Sequence, residues 1–189
     1  AITYARYKDP SHAVVADLTD ANVSGLRSIT YYDVALGKGD EKALYQVSYS
    51  PSSYTTAKST TAYFYSATNP EILSSTEIVK GDHHSDYGAV SMIYISRSVY
   101  AGGVAGEEQI LWNYKYIPSS PSTWSGYMES TTLYIYSTTA GAGGELEQTI
   151  SYRGYRASAD PSDLTQRTSI TYYWGDQGEE IINYIDNYE

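Results

Sequence analysis

Four glutamates stand at or near the start of predicted strands, where each carboxylate would lie towards the end of a sheet. They are Glu41, Glu108, Glu147 and Glu180. An ionised carboxylate accepts hydrogen bonds from hydroxyl groups, and an aromatic ring beside it can stack on the C–H face of a sugar. Glutamates at strand ends also blunt a sheet against aggregation. The set therefore predicts either carbohydrate-binding side chains or a structural feature of the strand ends.

Three tryptophans are the candidates for the aromatic side of such a site. An exposed Trp112, Trp124 or Trp174 would support stacking on a ligand, whereas a buried one would belong to the packing of the sheet. Trp124 is the best candidate for exposure, because it stands in a segment rich in Pro, Ser and Gly. These three side chains and the four glutamates form the predicted ligand-binding set.

Catalysis has weaker support in the residue pattern. The adjacent carboxylates of Glu107-Glu108 and Glu179-Glu180 offer the pair that a glycosidase needs, but neighbouring side chains on a strand face apart. No nucleophile elbow, phosphate loop or zinc-protease motif occurs. We therefore predict no catalytic residues and no enzyme, with a glycosidase-type activity as the open alternative.

Two features of the sequence carry metal-binding side chains. His83 and His84 stand between Asp82 and Asp86, but adjacent strand residues chelate poorly, and a polar loop is the simpler interpretation. Acidic loops offer oxygen ligands for Ca²⁺. The carboxylates concerned are Asp17, Asp20, Asp40, Asp160 and Asp163. Since neither an EF-hand nor a nonapeptide repeat is present, we predict no metal site and no cofactor.

The composition argues against several classes of function. The 189 residues carry 22 acidic and 12 basic side chains, a net charge of −10. Without a Lys/Arg cluster to neutralise phosphates, no nucleic-acid partner is expected. The absence of cysteine removes disulfides and thiolate chemistry, and no apolar run approaches the roughly 20 residues of a membrane span. The 23 tyrosines against one phenylalanine favour half-exposed sheet faces.

Alternating β-branched and aromatic residues predict five strands, and no stretch shows a sustained helical period. Each strand carries Ser or Thr three residues before an anchor tyrosine. The anchors are Tyr31, Tyr63, Tyr94, Tyr134 and Tyr172. A turn, mostly rich in Gly, and a second strand with an acidic residue at its start follow each anchor. The anchors are 32, 31, 40 and 38 residues apart, a period typical of propellers, prisms and other repeated-sheet folds.

We therefore predict a single all-β domain over residues 1–189. Residues 28–189 would form five antiparallel Tyr-rich hairpins in a propeller-like array or, alternatively, an up-and-down barrel or a two-sheet sandwich. Residues 1–27 would be either an N-terminal extension or a closing strand, for which Ala13-Val14-Val15-Ala16 is the candidate. Open edges in such an array favour a homo-oligomer that completes it.

The repeat unit resembles the blade of the fungal and bacterial fucose-binding lectins over residues 26–189. It has an apolar-x-Tyr-Tyr strand, a Gly turn, a strand with Glu, and a Trp/Tyr-x-Gly segment. The resemblance implies a β-propeller with a glutamate in each sugar site. The family's sugar-binding Arg, two residues before the anchor, is not matched, so the forked hydrogen bonds of a guanidinium are missing. Those positions hold Ile29, Thr61, Met92, Thr132 and Ile170.

The function predicted from these features is lectin-like carbohydrate binding without catalysis, in which shallow sites for glycans act together through avidity. The alternative is a structural or adhesive subunit of an extracellular fibre or surface assembly, whose Tyr-rich faces mediate assembly. Either function suits an extracellular or cell-surface location, and a cytoplasmic one stays open.

Overall fold

The computed structural model describes residues 2–8, 26–33, 41–50, 53–88, 92–117, 128–137, 144–156 and 165–189. These residues form strands and turns, and they contain no helix long and apolar enough to cross a membrane. The strands are β1 (Ile2–Lys8), β2 (Leu26–Asp33), β3 (Lys42–Ser50), β4 (Ser53–Tyr65), β5 (Leu73–Lys80), β6 (Tyr94–Ala101), β7 (Gln109–Tyr116), β8 (Met128–Tyr136), β9 (Leu146–Arg153), β10 (Arg167–Trp174) and β11 (Ile181–Asn187).

The strands lie in sequence order, from β1 to β11, in an open sheet. Short connections join β2 to β3, β4 to β5, β6 to β7, β8 to β9 and β10 to β11, which correspond to the five predicted hairpins. The all-β class and the ten antiparallel strands are thus confirmed. The sheet is not closed, so the propeller-like array is not confirmed, and an up-and-down barrel is not formed by the described strands.

The described N-terminal strand is β1, which precedes the predicted closing strand in the chain. β1 pairs with β2 in parallel, from Ile2 opposite Leu26 to Lys8 opposite Asp33. It lies at one end of the strand order and does not close the sheet. The predicted closing strand, Ala13 to Ala16, lies outside the described residues.

The chain divides into two compact units, and their boundary crosses β4 and β5. The first unit comprises Ala1–Tyr63 and Glu77–Ile93, and the second comprises Phe64–Thr76 and Tyr94–Glu189. In the first unit, Ile29 of β2 pairs with Val47 of β3, and both side chains are buried. The division into these units does not test the predicted single domain, which stays a prediction.

The second unit has an apolar and a polar face, as period-2 alternation requires. On one face, cross-strand partners form an apolar row. It runs Val99, Trp112, Leu133, Ile150, Ile170 across β6 to β10. On the other face, the residue next to each member of the apolar row, on the same strand, belongs to a polar row. It runs Ser98, Asn113, Thr132, Ser151, Ser169. Four members of the apolar row and Tyr152 form the buried core of this unit.

A buried threonine fixes the end of the second strand in two of the hairpins. The Thr60 hydroxyl donates to the Gly81 carbonyl at 2.8 Å and accepts from the backbone N–H of His83 at 2.9 Å. In the second unit, the hydroxyl of Thr131 donates to the carbonyl of Gly154 at 2.7 Å and accepts from the backbone N–H of Arg156 at 3.2 Å. The matching contacts make β4–β5 and β8–β9 structural repeats of each other.

The structural repeat is marked by a tyrosine that follows a register shift in the first strand of a hairpin. These shifts precede Tyr32, Tyr100, Tyr136 and Tyr173. Tyr65 stands five residues after Thr60, as Tyr136 stands after Thr131. The resulting spacings of 33, 35, 36 and 37 residues are more even than those of the predicted anchors. The predicted anchor Tyr94 instead begins β6, so it is not equivalent to Tyr172 near the end of β10.

Several of these tyrosines bridge to the preceding strand through the phenol. The hydroxyl of Tyr136 donates to the carbonyl of Ile110 at 2.8 Å. Burial of this phenol raises its pKa to about 12. Tyr100 reaches Thr76 at 3.3 Å, and Tyr173 reaches Thr149 at 3.5 Å. The polar tip explains why the repeat uses Tyr where Phe would leave backbone or hydroxyl groups without this partner.

Candidate functional site

The predicted ligand residue Glu108 binds the protein's own backbone. One of its carboxylate oxygens accepts a hydrogen bond from the N–H of Leu73, and the other accepts one from the N–H of Gly106, both at 2.9 Å. Leu73 is the first residue of β5, and Gly106 belongs to the turn between β6 and β7. Glu108 therefore fixes its own turn to the start of a strand two places earlier in the sheet.

Glu180 repeats this arrangement in the last hairpin. Its two carboxylate oxygens accept from the N–H of Leu146 at 3.1 Å and from the N–H of Gly178 at 2.9 Å. Leu146 begins β9, as Leu73 begins β5. Charge-assisted hydrogen bonds to backbone N–H groups are among the stronger polar contacts in proteins. Two of the four predicted glutamates thus act as backbone clamps at the turn end of the sheet.

A glycine near each of these two glutamates leaves room for the close backbone approach. A Cβ at Gly102 would lie 3.0 Å from the Cα of Glu108, and a Cβ at Gly175 would lie 2.8 Å from the backbone oxygen of Glu179. Gly175 also has a φ of +129°, which a residue with a side chain rarely adopts. The Gly turns that the sequence marked as hairpin signals therefore also make room for the clamps.

We expect Glu108→Gln to lower the free energy of unfolding by about 2 kcal/mol. A glutamine keeps one acceptor oxygen but turns its amide N–H₂ towards a backbone donor, so one of the two hydrogen bonds is lost. The measurement is urea denaturation followed by circular dichroism. Glu107→Gln is the matched control, because Glu107 is exposed; it removes the same charge and should change stability by less than about 0.5 kcal/mol. Equal losses in the two variants would contradict the clamp.

The carboxyl group of Glu180 should make stability depend on acidic pH. The hydrogen bond from the N–H of Leu146 is the main cause of its lowered pKa. A folded pKa below the unfolded value contributes stability that is present above the unfolded pKa and is lost as pH falls through the folded pKa. We therefore expect Glu180→Gln to lower the melting temperature at pH 7 and to flatten its decline below the unfolded pKa of about 4.5. Glu179→Gln should keep the steeper acid dependence, and a steep decline in both variants would exclude this role.

The other two predicted glutamates differ in their settings. Glu41 is half-buried and directly precedes β3, the position that Glu108 and Glu180 occupy before their own strands. Glu147 is exposed and is the second residue of β9. Glu145 is the residue that directly precedes β9. The structure therefore places Glu145, rather than Glu147, at the position equivalent to the clamps.

The described tryptophans divide into one core residue and one surface residue. Trp112 is only 7% exposed and packs with Leu133 and Ile150, and its ring is stacked with that of Tyr114 at a centroid distance of 6.2 Å. Trp174 ends β10 and is 73% exposed. The third predicted ligand tryptophan, Trp124, lies outside the described residues. Trp174 is thus the described tryptophan whose ring is free to meet a ligand.

Trp174 lines a pocket of about 500 Å³. Its lining residues are Glu145, Trp174, Gly175, Asp176, Glu179 and Ile181. Three acidic residues line this pocket together with the exposed Trp174, and of the predicted set it includes Trp174 alone. Glu145 and Asp176 were missed at the level of sequence, and Glu179 was considered only as half of a catalytic pair with Glu180. The sequence signal that could have identified all three residues is their position in the turns before β9 and β11. The ends of two hairpins lie side by side there.

The two adjacent histidines form separate pairs. Nδ1 of His83 lies 3.1 Å from the carboxylate of Asp86, while His84 bonds to Asp82 and stacks on Tyr31 at a ring-centroid distance of 4.2 Å. The hydrogen bond from His84 lowers the pKa of Asp82. Within the described ranges, no group of three or more His, Asp or Glu side chains could hold a metal ion. The five aspartates considered for Ca²⁺ lie outside those ranges: Asp17, Asp20, Asp40, Asp160 and Asp163.

Comparison with known proteins finds no matching family model, no matching curated protein and no matching solved structure. The resemblance to the fucose-binding lectins therefore stays a prediction.

Proposed function

We propose that the protein binds carbohydrate, without catalysis, in the pocket around Trp174. The observation that carries this proposal is the exposed indole of Trp174 beside the carboxylates of Glu145, Asp176 and Glu179. A flat apolar ring offers a stacking surface for the C–H face of a sugar, and ionised carboxylates accept hydrogen bonds from its hydroxyl groups. The volume of about 500 Å³ lies in the usual range of small-ligand sites.

The charge of the pocket narrows the class of sugar. Among the described residues, no basic side chain lines it, while three acidic ones do. Like charges juxtaposed at an interface oppose binding, so acidic sugars are disfavoured. We infer a preference for neutral or amino sugars, since hydroxyl and ammonium groups both donate to carboxylates.

Glu180 has a supporting part in this proposal. Its carboxylate accepts hydrogen bonds from the N–H groups of Leu146 and Gly178. In the proposal, Glu180 therefore positions the turn that contains Asp176 and Glu179, and it does not bind the ligand. Glu108 plays the same part in the third hairpin. The propeller-like array, the homo-oligomer and the extracellular location remain proposals. In an array or an oligomer, repeated shallow sites would gain affinity through avidity.

We expect Trp174→Ala to weaken binding of the best sugar from a glycan array by about tenfold, which corresponds to the loss of about 1.4 kcal/mol of stacking. Affinities would be measured by calorimetry on the purified chain. Tyr155→Ala is the matched control, since Tyr155 is an exposed aromatic residue outside the pocket, and it should leave affinity unchanged. No sugar binding on the array, or equal affinity in Trp174→Ala, would contradict the proposal.

A second candidate is the structural or adhesive subunit, and one observation favours it. Every residue of β11 is exposed, and the strand carries three isoleucines and a tyrosine. Exposed apolar strands at a sheet edge are sites of association. Large ordered assemblies in solution, formed without sugar, would support this function over carbohydrate binding.

A further inference from the structure

Among the described strands, none pairs with the outer edge of β11, and four of its seven side chains are isoleucine or tyrosine. β11 is the last strand in the sheet, and all seven of its residues are exposed. The second strands of the first and third hairpins differ: β3 has no exposed residue, and β7 has only Lys115 exposed. In β11, Ile181 and Ile182 are 60% and 58% exposed, and Tyr184 and Ile185 are 49% and 50% exposed. Such a surface is unusual for a strand that has its full set of neighbours.

The backbone of this edge is aligned for pairing. The N–H of Tyr188 donates to the carbonyl of Thr168, which immediately follows the start of β10. Because successive residues of a strand turn their backbone groups to opposite sides, Ile185 and Asn187 direct their N–H and C=O groups away from β10. Among the described residues, no strand pairs with this side of β11.

Register shifts identify the position that Tyr184 occupies in the repeat. In the last hairpin, the shift in β10 follows the pair Tyr172–Tyr184. The same shift follows the pair Tyr31–Tyr45 in the first hairpin. In the third hairpin it follows the pair formed by Val99 and Trp112. Tyr184 is therefore the equivalent of Tyr45 and Trp112.

The two aromatic equivalents, Tyr45 and Trp112, are covered by a strand of the same sequence type. In the fourth hairpin this position holds Gln148, which pairs with Tyr172 of β10. Tyr45 pairs with Ala62 of β4, and Trp112 pairs with Leu133 of β8. These partners belong to the segments 59–63 and 130–134, and each reads Ser-Thr-Thr-apolar-Tyr. In both ladders the apolar residue lies opposite the aromatic one, and the second threonine lies opposite the next residue of the covered strand.

We propose that the outer edge of β11 binds an antiparallel strand of the Ser-Thr-Thr-apolar-Tyr type. Its apolar residue would lie opposite Tyr184, and its second threonine opposite Ile185. Such a strand would cover Tyr184 as β8 covers Trp112, which is only 7% exposed. The added strand would also accept and donate the backbone hydrogen bonds that Ile185 and Asn187 offer. This proposal is independent of carbohydrate binding, because it rests on β11 and not on the Trp174 pocket.

A synthetic peptide with the sequence of residues 57–65 tests this proposal. It contains the motif, and its lysine at position 58 suits a chain of net charge −10. Amide hydrogen exchange would be followed by NMR on the whole chain with increasing peptide. We expect exchange at Ile185 and Asn187 to slow by at least about tenfold at saturation. The amide of Tyr188 should change less, since it is already bonded within the sheet.

Two controls separate strand pairing from nonspecific adhesion. A peptide in which the second threonine is replaced by proline lacks the N–H needed at the centre of the ladder and should give no slowing. In the protein, Ile185→Pro removes an N–H that points away from β10, so the hairpin should fold while the peptide effect is lost.

Three results would overturn the proposal. The first is unchanged exchange at Ile185 and Asn187 with the unmodified peptide. The second is equal slowing with the proline peptide. The third is slow exchange at both amides without peptide, together with a dimeric mass in solution, which would assign this edge to a second copy of the chain.

Discussion

Replacing Trp112 by alanine is expected to lower the free energy of unfolding by about 4 kcal/mol, the usual cost of truncating a buried aromatic residue. Trp112 sits in the apolar row between Val99 and Leu133. It is 7% exposed, so its removal would leave a cavity as well as lost apolar burial. Since a domain is stabilised by only about 5–15 kcal/mol in total, this single change should remove a large fraction of the stability.

The matched control is the same truncation on the surface. Trp174 is 73% exposed, so Trp174→Ala should change stability by less than about 0.5 kcal/mol. Denaturation in urea, followed by far-ultraviolet circular dichroism, compares the two variants directly. Similar losses for both would mean that Trp174 is packed in solution, and this would also weaken the case for a ligand at its ring.

The second large effect is expected at the buried threonines. We expect Thr60→Val and Thr131→Val each to lower the free energy of unfolding by about 2 kcal/mol. Both side chains have no exposed surface, and valine has nearly the same shape without the hydroxyl. The carbonyl of Gly81 would lose its donor, and the N–H of His83 would lose its acceptor. In Thr131→Val, the carbonyl of Gly154 would lose its donor, and the N–H of Arg156 would lose its acceptor.

Thr61→Val is the control for this pair of variants. Thr61 is the next residue along β4, and its side chain faces the opposite side of the sheet. It is half-buried and pairs with Gln46, so its replacement should change stability by less than about 0.5 kcal/mol. A loss at Thr61 as large as that at Thr60 would show that the cost comes from the strand in general. A loss at Thr60 without one at Thr131 would contradict their equivalence as repeats.

The hairpins were predictable because the signals for them are local. Alternating apolar and polar residues, β-branched and aromatic side chains, and Gly turns act within a few residues. The second strands from Lys42, Gln109 and Ile181 begin directly after the glutamates that the sequence marks. The period was harder to place, because a Ser/Thr-x-x-Tyr pattern recurs along a Tyr-rich chain whatever the register. The register shifts that identify Tyr100 and Tyr136 as equivalents depend on the neighbouring strand.

In the candidate site, too, the sequence indicated some of the residues, and the tertiary structure decided their contacts. The sequence marked Glu108 and Glu180 as notable, and their position at the strand starts is confirmed. What each carboxylate binds depends on the strand two places away, which brings the N–H of Leu73 or Leu146 within reach. The grouping of Glu145 with Trp174 likewise joins two hairpins. No spacing along the chain encodes that proximity.

By itself, the sequence determined the all-β class, the ten antiparallel strands and the Gly turns, because backbone preferences and side-chain alternation operate between near neighbours. Only the tertiary structure decided that the sheet is open, that Trp112 is core while Trp174 is surface, and that two glutamates clamp the backbone. These outcomes depend on cross-strand register and strand order. A single-residue change in register exchanges the two faces of a strand, so they follow from the assembled sheet.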